Sequence, residues 1–198
     1  MTDPVDDSSL AEHCVSSTQA WHGRFLDVRT DRVRLPDGSE TSREYIVHPG
    51  AAAMIPILPD GRILLVRQFR YALRATFLEI PAGKLDPGEH SFDTAVRELR
   101  EETGYEAAEW AYMTRLHPAI GFATEVMDLY LCRNLREVGR ALDEGEFLDL
   151  VPTSVPDMVS MLRAGRLTDV KTQIATFWLE RFTAGQWPWP EFGGQARG

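Results

Sequence analysis

The chain is poor in cysteine, has fewer basic than acidic residues, and lacks any long apolar run. Its two cysteines, Cys14 and Cys132, lie far apart and show no metal-ligand spacing, so we expect no disulfide scaffold and a reducing compartment, the cytoplasm. No run approaches the roughly 20 apolar residues of a transmembrane helix. Residues 1–12 hold four acids and no Lys or Arg, which argues against a signal peptide. The net charge of -9 argues against nucleic-acid and anionic-membrane partners, because both require a basic face.

The residues that are present have the composition of an ordinary globular protein. Of the 198 residues, 43% are hydrophobic and 26% are charged, which suffices for one domain with a full core and a small appended subdomain. If so acidic a protein acts on an anionic substrate, arginines or a bound metal must supply the local positive charge.

Both ends of the chain are expected to lack regular structure. Residues 1–17 are polar, acidic and aperiodic, which predicts a disordered tail. Pro188 and Pro190 disfavour a helix or a central strand near the other end, so residues 184–198 are predicted to form a flexible tail, in which Trp187 and Trp189 could still dock on a surface.

Between the tails, the periodicity predicts strands that alternate with helices. The predicted strands are 25–35 (two short strands), 43–48, 51–58, 62–69, 76–80, 110–116, 125–132 and 147–151, and the predicted helices are 91–103, 155–164 and 169–182. Strands 51–58 and 62–69 are expected to form a hairpin around Pro59-Asp60-Gly61. The fold class is α/β or α+β, with a mixed sheet flanked by helices.

The predicted helix 91–103 carries a cluster of carboxylates. Ser91 is expected to cap its start and Gly104 to close its end. Glu98 and Glu102 are four residues apart and share one face, which Glu101 adjoins, while Phe92, Ala95, Val96 and Leu99 form a neighbouring face that we expect to be buried. Like charges near a helix C-terminus are unfavourable, and a hard divalent cation such as Mg²⁺ or Mn²⁺ would relieve that repulsion. The alternative is a solvated acidic surface, in which Arg97 and Arg100 form ordinary ion pairs.

The stretch from Gly83 to Tyr105 resembles the Nudix box position for position. It reads Gly83, five residues, Glu89, seven residues, Arg97-Glu98-Leu99, one residue, Glu101-Glu102, one residue, Gly104. Tyr105 departs from the aliphatic residue that is usual at the last position. The likeness covers about residues 20–182, and it is closest to the ADP-ribose pyrophosphatase branch, through Arg43-Glu44-Tyr45, Val66-Arg67-Gln68-Phe69-Arg70-Tyr71, Leu78-Glu79-Ile80-Pro81-Ala82-Gly83 and the loop His117 to Glu125.

The resemblance implies an α/β/α sandwich with a mixed sheet, here residues 49–183, and a small N-terminal β subdomain, residues 18–48, that is usually exchanged in a homodimer. It implies hydrolysis of ADP-ribose to AMP and ribose 5-phosphate with Mg²⁺, for which Mn²⁺ can substitute. Two alternatives stay open. One is the same chemistry on another nucleotide sugar such as GDP-mannose. The other is a non-catalytic, nucleotide-sensing Nudix domain, against which the retained box carboxylates argue.

The resemblance also implies roles for single residues of the box. Glu98, Glu102 and the Ala82 carbonyl would hold the metal. Glu101 would be a further metal ligand or would assist catalysis from beside the ligands. Arg97 would complete the catalytic set by orienting the loop through Glu89, and Glu89 and Gly104 would be structural.

Outside the metal ligands, the resemblance implies a set of substrate contacts. Gly83 and Arg70 would contact the substrate, Arg70 through a phosphate, and Glu125 would order or deprotonate water. Arg43 and Glu44 would recognise the adenine edge. Trp21 or Phe25 could stack on that base.

One departure from the branch concerns the loop before Glu125. A proline usually stands directly before the Gly-Phe pair of this loop, where this chain has Ile120, and its proline is Pro118. The shape of the loop, and the choice of substrate with it, can therefore differ from the branch.

Overall fold

The computed structural model describes residues 9–142 and 145–193. The described chain divides into two compact units, one formed by the residues up to His48 with Ala119–Glu125 and the other by Pro49–Pro118 and the residues from Val126 onward. The strands are β1 (His13–His22), β2 (Asp27–Arg34), β3 (Glu40–Val47), β4 (Ala51–Pro56), β5 (Ile63–Arg70), β6 (Ala75–Glu79), β7 (Ala82–Lys84), β8 (Tyr105–Leu116), β9 (Met127–Glu137) and β10 (Leu148–Thr153). The helices are α1 (Ser91–Glu98), α2 (Val155–Arg163) and α3 (Val170–Thr183), with a 3₁₀ turn at Tyr71–Leu73 and a π-helical turn at Leu99–Thr103 that continues α1.

The first unit is a three-stranded antiparallel sheet in the order β1-β2-β3. The loop Ala119–Glu125 lies along the end of β3, where Ile46 N donates to Phe122 O at 2.9 Å and Thr124 N donates to Ile46 O at 2.9 Å. Strand β1 begins at His13, so the predicted disorder of residues 13–17 is wrong; residues 1–8 lie outside the described residues. All ten residues of β1 are exposed, and pairing with β2, rather than burial of a face, determines this strand.

The second unit contains two sheets. One has the order β7-β4-β9-β8, with β4 and β9 parallel, and the other has the order β10-β5-β6. The predicted mixed α and β arrangement is therefore confirmed. The predicted hairpin of residues 51–58 with 62–69 is wrong, because β4 pairs with β7 and β9 while β5 pairs with β6 and β10; a single bridge between Ile57 and Ile63 remains at the turn.

Strand β4 has a buried side chain on each of its two faces. Ala51, Ala53 and Ile55 belong to a core with residues of α2 and α3, whereas Ala52 and Met54 belong to a core with Ala95 and Leu99. Because neighbouring residues of a strand point to opposite faces, helices cover both sides of this sheet. No helix within residues 9–142 and 145–193 is long and apolar enough to span a bilayer.

The start of α1 differs from the prediction. The residue before its first turn is His90, and no side chain caps the helix. Ser91 is therefore not the cap, and its Oγ instead shares a hydrogen bond of 2.7 Å with Tyr130 OH. The predicted buried face holds for Ala95 and Leu99, while Val96 is exposed and Thr94 is buried in its place.

The described part of the C-terminal tail packs onto the second unit, so the predicted flexibility of residues 184–193 is wrong. The Trp189 ring stacks on Phe182 at 4.9 Å, and Trp187 meets Trp178 edge-on at 5.3 Å. Gly193 forms a two-way backbone bridge of 2.9 Å hydrogen bonds with Trp110 of β8. Residues 194–198 lie outside the described residues.

Candidate active site

Arg97 joins three carboxylates and the loop that precedes α1. Its Nε and Nη2 donate to Glu89 at 3.0 and 2.9 Å, and its Nη1 donates to Glu98 and Glu101 at 2.8 Å each. Nη2 also donates to the Lys84 carbonyl at 3.2 Å. The guanidinium therefore links strand β7, the loop and the carboxylate face of the helix, and the pKa of Arg97 rises mainly through its hydrogen bonds to Glu89.

Glu89 closes the loop by accepting hydrogen bonds from both of its ends. Asp86 N donates to Glu89 Oε2 at 3.1 Å and Thr94 Oγ1 donates to it at 2.7 Å. The hydrogen bonds from Arg97, above all, lower the pKa of Glu89 to about 2. Glu89 is thus an anion that holds the loop through these hydrogen bonds, and the structural role expected for it stays a prediction.

Glu102 is a buried carboxylate, and Glu98, of like charge, is partly buried. Glu102 is 4% exposed, and the hydrogen bond that the structure gives its side chain comes from Ala82 N at 3.2 Å. Burial, and then the charges of Glu98 and Glu146, raise the pKa of Glu102 to about 8. Burial also raises the pKa of Glu98 against the opposing effect of Arg97. Without a cation, this cluster of negative charge is unfavourable in the folded protein.

Gly83 makes room for the Glu98 carboxylate. A Cβ atom added at position 83 would lie 1.8 Å from Glu98 Cδ and Oε1, far inside van der Waals contact. The glycine is therefore required by a close approach of the carboxylate to the backbone of β7. Its predicted contact with the substrate is a separate expectation that stays a prediction.

Gly104 ends the π-helical turn in the left-handed region, with φ of 76°. Its N donates to Arg100 O at 2.8 Å, the closing hydrogen bond of a helix C-terminus. An added Cβ would lie 2.9 Å from Arg140 N. Backbone conformation and space thus both require glycine here.

Glu146 is a residue that the sequence reasoning missed. Its charge raises the pKa values of both Glu98 and Glu102, after the larger effect of burial, which places its carboxylate within electrostatic reach of the cluster. The acidic stretch 143–146 between two predicted strands was the available signal.

The donor set fits a hard divalent cation. Carboxylate oxygens are the ligands that Mg²⁺ and Mn²⁺ prefer, and the raised pKa values of Glu98 and Glu102 mark an uncompensated charge. Among the described residues no three His, Cys, Asp or Glu side chains converge on one point. The reason is visible in the hydrogen bonds, since Arg97 draws Glu98 and Glu101 while Glu102 turns to Ala82 N. The metal-ligand roles of Glu98, Glu101, Glu102 and the Ala82 carbonyl stay predictions.

Arg70, the last residue of β5, is electrostatically coupled to this cluster. The positive charge of Arg70 acts to lower the pKa of Glu102, and the Arg70 side chain is 44% exposed. Its Nε and Nη2 form paired hydrogen bonds of 2.7 Å with Glu79.

The remaining predicted residues lie in the first unit. Glu125 Oε1 is 3.9 Å from His48 Nε2, and Phe25 meets His48 edge-on with ring centroids 5.5 Å apart. Trp21 is exposed in β1, against the backbone of Gly23. The water-activating and stacking roles of these residues stay predictions.

Arg43 and Glu44 are neighbours in β3. Both are exposed, and Arg43 Nη2 donates to Glu12 at 2.6 Å. Because successive side chains of a strand point to opposite faces, only one of the two can face a given base within this sheet.

Comparison with known proteins identifies the class to which this fold and site belong. The family described as NUDIX domain matches residues 47–168, and the family described as nucleoside diphosphate sugar hydrolase N-terminal domain matches residues 12–46. The chain therefore belongs to the Nudix family. The family and the enzyme class predicted from the sequence, a Nudix hydrolase, are confirmed, and enzymes of this family generally use a divalent metal.

Similar proteins span most of the chain. ADP-ribose pyrophosphatase of Bacillus subtilis (strain 168) is 37% identical to this chain over 87% of this chain and 94% of its own length. ADP-ribose pyrophosphatase of Mycobacterium tuberculosis is 39% identical over 71% of this chain and 70% of its own length. Methanol dehydrogenase activator of Bacillus methanolicus is 38% identical over 85% and 92%. The crystal structure of an ADP compounds hydrolase shares the fold, with a TM-score of 0.78, 22% identity, and coverage of 88% of this chain and 95% of that chain.

Proposed function

We propose that the chain hydrolyses the pyrophosphate of a nucleoside diphosphate sugar with Mg²⁺, and that its substrate is ADP-ribose, cleaved to AMP and ribose 5-phosphate. The observation that carries the proposal is the carboxylate pair on the matched box beside Arg97, in which Glu102 is buried, Glu98 is partly buried and both have raised pKa values. The printed activities of the relatives from B. subtilis and M. tuberculosis support the choice of ADP-ribose.

In this mechanism the protein holds ions, phosphates and water in place. Glu98, Glu102 and the Ala82 carbonyl would hold the metal, with Glu101 as a further ligand or beside the ligands. When bound, Mg²⁺ would neutralise phosphate oxygens and lower the pKa of the attacking water. Arg97 keeps the loop in place through Glu89.

The other side chains bind substrate and handle a proton. Arg70 would hold a phosphate through the edge of its guanidinium that Glu79 leaves open. Glu125 is assigned to order or deprotonate water, and its contact with His48 would restrict its orientation. Glu146, which is coupled to the metal-site carboxylates, is a second candidate for the same task. Substituting Glu125 and Glu146 separately by Gln distinguishes them, because the base should show the larger loss of kcat.

The direct experiment is incubation of purified protein with Mg²⁺ and ADP-ribose. We expect AMP and ribose 5-phosphate, and the appearance of neither product would refute the proposed substrate. A panel that includes GDP-mannose, ranked by kcat/KM, tests the alternative sugar nucleotide. A non-catalytic sensor would bind members of the panel without turnover, and the retained Glu98, Glu101 and Glu102 argue against it.

We also propose that the active form is a homodimer, assembled through the N-terminal sheet. The large apolar side chains Val15, Trp21 and Phe25 are exposed in this unit, and a small sheet with an exposed strand rarely stands alone. Sedimentation equilibrium should give twice the chain mass of 22.3 kDa, whereas a monomer at assay concentration would refute the dimer.

The cytoplasm is the proposed place of action. The thiols of Cys14 and Cys132 are both free, the form that a reducing compartment maintains. Cell fractionation should recover the protein with cytoplasmic markers; recovery with extracellular or membrane markers would contradict the proposal.

A further inference from the structure

Behind Arg70 lies a chain of buried ionic groups that the box does not account for. Glu79, whose side chain is 4% exposed, accepts hydrogen bonds from Arg70 on one side and from Lys171 Nζ at 2.5 Å on the other. Lys171, with a side chain 8% exposed, also lies 3.0 Å from Asp169. Positive and negative charges therefore alternate from the half-exposed Arg70 into the protein.

The inner end of this ionic chain is anchored to α3. Asp169 is the residue that caps the helix, and its Oδ2 accepts hydrogen bonds from Thr172 N at 3.0 Å and from Thr172 Oγ1 at 2.5 Å. The Thr172 hydroxyl also accepts a hydrogen bond of 2.8 Å from Ile80 N, the residue that follows Glu79. Helix α3, through Lys171, and strand β5, through Arg70, thus hold the Glu79 side chain from two directions.

Burying an isolated charge is costly, so the buried Glu79 and Lys171 each require a partner of opposite charge. Burial acts to raise the pKa of Glu79, yet the hydrogen bonds and charges of Arg70 and Lys171 bring it below its ordinary value. Lys171 is one of only two lysines in a chain with nineteen arginines. A compact ammonium can share one carboxylate with a guanidinium where a second planar fork would need more space.

The geometry determines which part of Arg70 can bind a ligand. Within the part of the chain that the structure describes, Arg70 forms hydrogen bonds through Nε and Nη2 alone. The Nη1 end of its planar group is left for another acceptor, and that end suits two phosphate oxygens. Removing the charge of Lys171 would leave Glu79 to Arg70 alone and make the potential at Arg70 less positive; with Lys171 present, Glu79 is shared between the two cations, while Asp169 balances part of the Lys171 charge.

We propose that Lys171 is a positioning residue that acts through Glu79, holding the Arg70 guanidinium in orientation and keeping its charge available to the substrate's phosphates. This inference rests on the proposed function, in which Arg70 contacts a phosphate. Lys171 itself touches no substrate in this account.

A double-mutant cycle tests the proposal. We expect Lys171→Met to raise the KM for ADP-ribose about tenfold with kcat changed less than about threefold, because uniform binding is lost. In an Arg70→Met background the same substitution should change KM by less than about twofold, since the residue it acts through is gone. An equal effect of Lys171→Met in both backgrounds would overturn the proposal.

A matched control separates positioning from general destabilisation. Arg115→Met removes the cation from another buried carboxylate, Asp128, whose two oxygens lie 2.9 and 3.2 Å from Arg115. This variant should lose stability and keep KM. A KM for Lys171→Met no higher than that of Arg115→Met would overturn the proposal. If Lys171→Met is unfolded at the assay temperature, Lys171→Gln, which also removes the charge but keeps a polar end, takes its place in the same cycle, with the same expected and contrary results.

Calorimetric binding of ADP-ribose without metal distinguishes failure of the positioning role from failure of the proposed function. If wild-type protein binds ADP-ribose without hydrolysing it, the proposed function fails. The double-mutant cycle is then measured through the Kd for ADP-ribose in place of KM, and the expected changes are the same. If wild-type protein neither binds nor hydrolyses ADP-ribose, both proposals fail.

Discussion

At the scale of single residues, Arg97 decides how the carboxylates of the site are arranged. It forms hydrogen bonds with Glu89, Glu98 and Glu101 at once. These carboxylates therefore lie close together, but they do not point toward one common position. A cation that enters must compete with Arg97 for Glu98 and Glu101, whereas among the described residues the Glu102 side chain accepts a hydrogen bond from Ala82 N alone. Glu102 is therefore the carboxylate with most to gain from a bound metal.

Glu89→Gln should reduce stability in a pH-dependent way. The pKa of Glu89 in the folded protein is about 2, against an ordinary value of 4.5, so the ionised carboxylate stabilises the fold above pH 4.5 and this contribution is lost as pH falls toward 2. We expect the variant to be less stable by about 1–3 kcal/mol at neutral pH, the range for hydrogen bonds to charged groups. Urea denaturation at several pH values measures it, and a deficit that did not shrink in acid would contradict the assigned charge.

Gly83→Ala should disturb the site more than the fold. The added Cβ would overlap the Glu98 carboxylate, whose side chain must swing away at a cost of about 1–3 kcal/mol, typical of overpacking. We expect weaker metal binding and a lower rate at limiting Mg²⁺, measured by metal titration of activity. Gly193→Ala, where an added Cβ meets no atom within 4 Å and the backbone is not left-handed, is the control; equal metal affinity in the two variants would contradict the role of Gly83.

At the scale of elements, the carboxylate face extends from α1 into the π-helical turn Leu99–Thr103, which holds Glu101 and Glu102. Such turns are rare and occur often at functional sites. The turn ends at Gly104, whose carbonyl accepts from Val138 N at 2.8 Å and Gly139 N at 3.2 Å. The end of the helix is thereby tied to the chain that leads to Glu146.

Gly104→Ala should be costly for two reasons, its positive φ and the nearby Arg140 backbone. We expect a loss of about 2–4 kcal/mol in the free energy of unfolding, from left-handed strain plus steric overlap. Gly165→Ala, at a φ of 67° with open space around it, isolates the strain and should cost about 1–2 kcal/mol. Chemical denaturation of both variants measures the difference in the free energy of unfolding. Equal losses would show that Arg140 moves away from the added Cβ at no measurable cost.

The local sequence pattern was sufficient to predict most of the strands and helices and to find the Nudix box. The apolar run Ile63 to Val66 is buried throughout, and α2 and α3 begin and end within two residues of their predicted limits. Strand β1 was missed because its sequence has no buried face. The partners of β4 and β5 were mistaken because the parallel pairing of β4 with β9 joins residues far apart in sequence, which no local period encodes.

The candidate site was predictable where spacing along one helix determines it. The shared face of Glu98, Glu101 and Glu102 follows from that spacing. The contact of Arg97 with Glu89 joins segments that the resemblance alone had linked, and the roles of these residues stay predictions. The ionic chain through Lys171 and the coupling of Glu146 depend on tertiary contacts between distant segments, and neither residue stands in a recognisable motif of its own.

At the scale of the whole molecule, the described C-terminal segment is part of the second unit. It adds an aromatic cluster on α3 and a bridge to β8, the edge strand of the four-stranded sheet. An edge strand with unpaired backbone groups is a site for unwanted association. The segment therefore contributes both packing and protection of that edge.

Truncation after Gly185 should lower stability and promote association. Loss of the contacts of Trp187 and Trp189 with Phe182, and of the pairing between Gly193 and Trp110, should reduce the free energy of unfolding by about 2–4 kcal/mol, as for other large aromatic deletions. Denaturation and light scattering measure the two effects. A truncated chain with wild-type stability would contradict the docking of the tail.

The central claim, that the glutamates of α1 and its π-helical turn bind the catalytic metal, is tested most directly by Glu102→Gln. The rate of ADP-ribose hydrolysis is measured against Mg²⁺ concentration for both proteins. We expect saturation by Mg²⁺ in the wild type and a loss of about a hundredfold or more in the variant, because a metal ligand is replaced by a neutral amide. Without metal, the variant should be at least as stable as the wild type at about pH 9, since Glu102 must then ionise in a buried place. Intact turnover in Glu102→Gln, with an unchanged Mg²⁺ requirement, would contradict the claim.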